Sequence, residues 1–102
     1  MIYITLVCGA GMSTSMMMAR MKESAEKRGI EAQIVAMAEA KFPKYAGPTD
    51  VLLLGPQVSY TYDKMKSTYE PKGIRVAMIP MADYGRMDGE KVLNDVLAML
   101  EK

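Results

Sequence analysis

The amino-acid sequence predicts an α/β fold: one domain over residues 1–102, built on a four-stranded parallel sheet of order 2-1-3-4 with helices on both faces. Three observations lead there. Four short apolar runs are continuous rather than alternating, as in strands covered on both faces. Segments of helical period separate them, and alternating strands and helices imply right-handed parallel crossovers. Two loops of unusual composition, Cys8–Ser15 and Gly55-Pro56-Gln57, follow the first and third runs. In a sheet of this order the switch point lies between those two strands, and ligands bind there, outside the carboxyl ends.

The strands are expected at Ile2–Val7, Ala32–Met37, Val51–Leu54 and Ile74–Ile79. After the first, Thr14, Met17, Met18, Met21, Ala25 and Arg28 recur at helical spacing, with Arg20, Glu23 and Lys27 on the opposite face. Lys27-Arg28-Gly29 supplies a favourable helix end. The stretch Ala38–Tyr45 is weaker, because Pro43 and Gly47-Pro48 restrict it to a short helix or a turn. Gly55-Pro56 opens a stripe of Val58, Tyr62, Met65 and Tyr69, with Tyr60 off the stripe. Val92, Leu93, Val96, Leu97 and Leu100 form the last stripe, and Asp88 precedes it as N-cap.

Composition narrows the function. At 102 residues the chain supports one core and not two, and half its residues are apolar. The net charge is +1, with no basic face for a nucleic acid. No apolar run approaches the roughly 20 residues of a membrane span, and the start at Met1-Ile2-Tyr3 reads as a strand rather than a secretory signal. A lone cysteine fits a reducing, cytoplasmic setting. Histidine is absent, which excludes Ser-His and Cys-His hydrolases and argues against a zinc site. Neither a metal nor a cofactor is expected.

Cys8 is the residue with chemistry. Taken alone, a cysteine at a strand end is a small buried hydrophobe. Its surroundings point elsewhere: Gly9, Ala10, Gly11, Met12, Ser13, Thr14 and Ser15 form a loop that turns a strand into a helix. Such a turn directs unpaired amides and the positive end of a helix dipole at one small space. A phosphate or a thiolate is stabilised there, so Cys8 reads as a nucleophile able to carry a phosphoryl group. Tyrosine phosphatases with a cysteine loop place an arginine six residues after the nucleophile; here that position is Thr14, and Arg20 lies almost two turns along the helix. Asp83 can be offered as an acid for a leaving group, but the arginine clamp is still missing. A loop without the arginine clamp should hold phosphate through neutral dipoles and pass it on, with donor and acceptor supplied by partners.

Three segments, Cys8-Gly-Ala-Gly-Met-Ser-Thr-Ser, Leu53-Leu54-Gly55-Pro56-Gln57 and Tyr84-Gly85-Arg86-Met87-Asp88-Gly89, resemble in order the signatures of the lactose/cellobiose-family enzyme IIB of the bacterial sugar phosphotransferase system. The resemblance spans essentially the whole chain. Gly9 is the loop's departure from the pattern. The resemblance implies a phosphocysteine at Cys8 and a histidine-phosphorylated IIA protein as donor. It also implies a cytoplasmic protein docking on the membrane IIC transporter, where a β-linked disaccharide such as cellobiose, chitobiose or lactose accepts the phosphoryl group. A monomer, without membrane insertion of its own and without nucleic acid, is expected.

Accessory roles are assigned by position. Pro56 and Gln57 head the third helical segment, where Gln57 either donates to the phosphoryl group or a partner, or is an exposed first-turn residue. Asp83 and Tyr84 follow the fourth strand on the edge where a partner docks; the simpler reading makes Asp83 a cap and Tyr84-Gly85 a turn. Among the 12 methionines, Met17, Met18 and Met21 belong to the core, while Met12 suits an adaptable partner surface. Two other functions stay open: a phosphatase-like or reductase-like enzyme on a similar loop, and a flavin- or nucleotide-binding module.

Overall fold

Strand β1 (Ile2–Cys8) lies near the middle of the sheet and pairs in parallel with β2 (Ala32–Ala38) on one side and β3 (Val51–Leu54) on the other. β3 in turn pairs with β4 (Arg75–Met78), completing the order β2-β1-β3-β4 that the sequence predicts. This computed structural model describes residues 1–9, 12–45 and 47–100, and for residues 12–14 the backbone alone.

All four residues of β3 are buried, as an uncharged run between two neighbours must be. β4, on the sheet edge, is shorter than its apolar run: Ile74 N–H bonds to Tyr69 O and leaves the ladder, and Met78 is exposed. Inside β1 the buried Thr5 places its hydroxyl 2.9 Å from that of Thr49, which satisfies a polar atom in an apolar layer.

The two faces carry different covers. Helix α1 (Met12–Lys27) and the last helix, α4 (Gly89–Leu100), cover one face; Met17, Met21 and Ala25 pack there with Ile4, Leu6, Leu53, Val92, Leu93 and Val96. Burial of each such methionine or branched side chain is worth about 1.5–3 kcal/mol. Gly29 at φ 68° ends α1, with Ile30 N–H bonded to Ala25 O, as the Lys-Arg-Gly sequence anticipates. Arg28 departs from its expected inward position: it is exposed and donates to Asn94 Oδ1 of α4, because a guanidinium at the helix end reaches out more cheaply than in.

The other face is covered thinly. Between β2 and β3, where the weak stretch stood, Glu39–Lys44 forms only 3-10 turns, with Phe42 buried edge-on to Tyr69 at 4.9 Å. Pro43 within it removes an amide donor and prevents an α-helix. After β3, 3-10 turns over Pro56–Thr61 lead into α2 (Tyr62–Tyr69), whose Met65 is buried. Tyr62 and Tyr69 pack partly on this core and Tyr60 is exposed, in line with the stripe.

One element was not anticipated. A five-residue helix, α3 (Met81–Gly85), stands between β4 and α4 where the sequence suggests a turn. Asp88 then caps α4 as expected, its Oδ1 accepting Lys91 N–H at 3.1 Å.

Gly89, the first residue of α4, lies against the backbone of α1. A Cβ there would fall 2.6 Å from Arg20 C and from Met21 N. Gly89→Ala is therefore expected to force the helices apart and cost about 1–3 kcal/mol, read as a lower urea midpoint. Gly85→Ala meets nothing within 4 Å and should leave that midpoint unchanged or slightly higher.

Candidate functional site

The loops after β1 and β3 meet, as the topology requires. Register aligns Val7 with Leu54, and Gly55 N–H bonds to Val7 O at 2.9 Å. The next residue on the first strand is Cys8, only 2% exposed, with α1 starting four positions later. A Cβ built on Gly55 would lie 3.2 Å from Cys8 Cβ and 2.9 Å from Gln57 Oε1, so cysteine and glutamine flank one glycine. A Cβ on Gly9 would lie 4.0 Å from Val58 Cγ1, an ordinary contact with the segment after β3.

Of the loop residues assigned from sequence, Ala10 and Gly11 lie outside the described residues, as do the side chains of Met12, Ser13 and Thr14. Gly9 and Ser15 are exposed. Pro56 is the first residue of the 3-10 segment after Gly55, and Gln57 is exposed beside it. Arg20 sits on the polar face of α1, 4.0 Å from Glu23 and away from the loop's end. Among the described residues, no group of three His, Cys, Asp or Glu side chains is arranged to hold a metal ion.

Asp83 and Tyr84 require correction. Neither stands on the rim for a partner to touch, and Asp83 is not a cap; both are buried in α3, because this segment coils into a helix and turns them under α4. The Asp83 carboxylate lies 3.3 Å from Lys91 Nζ and 3.6 Å from Arg86 Nη2, and Lys91 also holds Asp95 at 2.9 Å. Hydrogen bonds to Asp95 first and Asp83 second raise the Lys91 pKa above its ordinary value. Tyr84 Oη is buried without a hydrogen-bond partner among the described residues, a condition that ordinarily costs about 1–3 kcal/mol.

The profile for "PTS system, Lactose/Cellobiose specific IIB subunit" matches residues 3–95. The chain belongs to this family. This IIB chain is 35% identical over 95% of its length to the oligo-beta-mannoside-specific EIIB component of Bacillus subtilis, covering 94% of that protein. With the galactose-specific EIIB component of Lactococcus lactis it shares 39% identity, over 88% of each chain. The lactose-specific IIB domain of Streptococcus pneumoniae superposes with a TM-score of 0.86 over 95% of both chains at 21% identity, which establishes the shared fold. The chain is thus a phosphotransferase component of the phosphoenolpyruvate-dependent sugar system.

Sequence reasoning singled out Cys8 and the switch point but missed two spatial requirements: the absence of a Cβ at Gly55 and the ion network around Lys91. The first had a signal, a glycine-proline pair directly after a fully apolar strand. For the second, only the i,i+4 spacing of Lys91 and Asp95 was a signal; that Asp83 joins them depends on the packing of α3 against α4.

Gly55→Ala should push Cys8 and Gln57 from their places and slow phosphoryl acceptance by about ten- to a hundred-fold, measured by single-turnover transfer, with the fold retained by circular dichroism. Lys91 supports folding while protonated. Its folded pKa is raised, so its contribution is full below the unfolded value and is lost as pH rises through the folded one. The stability difference between the wild type and Lys91→Gln is expected to hold steady at neutral pH and to shrink above about pH 10.5.

Proposed function

We propose that Cys8 accepts a phosphoryl group from the phosphohistidine of a IIA protein and passes it to a sugar held by the membrane IIC transporter. The observation that carries this reading is the placement of the sole cysteine at the carboxyl end of a central strand, against Gly55 and four residues before α1. Attack of the thiolate on phosphorus would break the N–P bond of the donor and form an S–P bond. Attack by a sugar hydroxyl would then break the S–P bond and return the thiolate. A loose transition state asks of this chain mainly alignment and stabilisation of the equatorial oxygens, roles for the amides of the loop 9–15 and for Gln57.

Two features favour a relay over a hydrolase. The chain has no histidine to activate water, and Arg20 is not at the loop's end.

Four exposed large apolar residues, Met16, Tyr60, Met78 and Met81, lie at or beyond the carboxyl ends of the strands. Exposed apolar side chains in these segments suit contact with successive protein partners. No described helix is long and apolar enough to cross a membrane, and a cytoplasmic IIB that docks on the inner face of IIC fits that. The sugar is a β-linked disaccharide or a related glycoside. Relatives similar to the whole chain are named for an oligo-beta-mannoside and for galactose, and the choice among sugars is assigned in this reading to the transporter.

Incubation with a phosphorylated IIA protein should produce a thiophosphate signal in phosphorus NMR that Cys8→Ala removes entirely. A label that survives that substitution would assign the phosphoryl group elsewhere. Turnover of p-nitrophenyl phosphate at neutral pH should be absent, and measurable turnover would restore the hydrolase.

A further inference from the structure

The two covers of the sheet differ in charge as well as in thickness. On the face of α1 and α4, segments 12–28 and 81–100 hold six lysines and arginines against six carboxylates. Among the described residues every ion pair joins residues of 20–27 or of 83–95, on that face. The thin cover, segments 39–44 and 56–72, holds five lysines against three carboxylates and no arginine. Lys41, Lys44, Lys64, Lys66 and Lys72 are all exposed, and none is paired with a carboxylate among the described residues. Two of them lie over aromatic rings, Lys66 over Tyr62 at 5.6 Å and Lys72 over Tyr69 at 5.5 Å. Charges that alternate along the chain are thus sorted by the fold.

These lysines belong to one patch. Lys64, Tyr60 and Tyr69 line a shallow hollow with Glu39 and Pro43, and Lys41, Lys44 and Tyr45 line a second with Met37 and Ala40. The 3-10 turns of Glu39–Lys44 wall both hollows, so their lysines adjoin those of α2. A single exposed lysine is content in water. Five on one face, interleaved with four tyrosines, fit a broad anionic surface. A fixed carboxylate or phosphate is gripped best by the planar fork of arginine, which this cover lacks; mobile headgroups ask only for flexible point charges. Tyrosine rings suit the same boundary, with an apolar body and a polar tip.

We propose that this lysine–tyrosine face rests on the anionic headgroups of a membrane and keeps the chain there between transfers. The choice of a lipid surface rests on the docking at IIC proposed above, which brings the chain to the membrane. Each lysine at such a surface strengthens association about five-fold, and the three carboxylates offset part of that. Cys8 is not on this face: in β1 it alternates with Val7 and falls on the side of Ile4 and Leu6, which α1 covers. Contact with lipid therefore leaves the cysteine's edge of the sheet open to a protein partner.

The test is co-sedimentation of the full chain with vesicles of phosphatidylglycerol and phosphatidylethanolamine, or of phosphatidylcholine alone. The wild type should bind only the anionic vesicles, and salt at about 1 M should release it. Lys41→Gln, Lys44→Gln and Lys64→Gln together should lower vesicle affinity about ten-fold or more. Arg20→Gln, Lys22→Gln and Lys27→Gln together, equal in net charge but on the other face, should change it little. Acceptance from a phosphohistidine IIA protein in solution should be the same in the wild type and the triple lysine variant. Absence of binding to the anionic vesicles overturns the inference, and so does an equal loss in both triple variants, which reduces the effect to net charge. Slower acceptance by the triple lysine variant assigns the face to an acidic protein and overturns it too. Cys8→Ala should bind vesicles as the wild type does, so a phosphoryl group found on another residue overturns the proposed function and leaves this measurement readable.

Discussion

The contact between Cys8 and Gly55 is the constraint on which the site depends. Parallel pairing of β1 with β3 brings the carboxyl ends of two central strands level, and the Gly55 amide continues that ladder onto Val7. A Cβ at position 55 would sit 3.2 Å from Cys8 Cβ, tight enough that the cysteine would have to give way slightly. Glycine there lets two loops close on one another, and proline at 56 then turns the chain away without needing the amide it lacks. Backbone hydrogen bonds of the sheet thus help to place the cysteine. Rigid strands position a reacting atom better than a loop does.

Helix α1 is the second half of the arrangement. Its N-terminus faces the loop after Cys8, and its position is set far from there by Met17 and Met21 in the core and by Gly89 of α4 against Arg20 and Met21. Close approach at Gly89 ties the amino-terminal helix to the carboxyl-terminal one. Lys91, in the first turn of α4, gathers Asp83 and Asp95 and so ties α3 to α4. Residues remote in sequence thereby set the geometry around Cys8. The segment Tyr84–Gly89 contributes to this packing through the buried Tyr84 and the close approach at Gly89.

Legibility followed the strength of local signals. Continuous apolar runs revealed the buried central strands, and the stripe Val92–Leu100 revealed α4, because sheet and helix impose their periods on every residue they bury. α3 was not legible, since five residues hold little more than one turn and its first, Met81, is exposed. The 3-10 turns over Glu39–Lys44 were half legible: Pro43 forbade a long helix, but the burial of Phe42 depends on Tyr69 of α2. Arg28 misled because a cationic side chain can occupy an inward position at its Cα and still send its charge to Asn94.

By itself the sequence determined the strand order, the lone cysteine and the composition of its neighbouring loop. These follow from short-range regularities and from what the composition lacks: histidine anywhere, and arginine at the loop's end. Tertiary structure alone decided that Asp83 and Tyr84 turn inward, that Gly55 and Gly89 must lack side chains, and that Lys91 joins two carboxylates. Each of these depends on which atoms meet across the fold. Spacing along a chain reports the face a residue takes in its own element, not the neighbour that waits there.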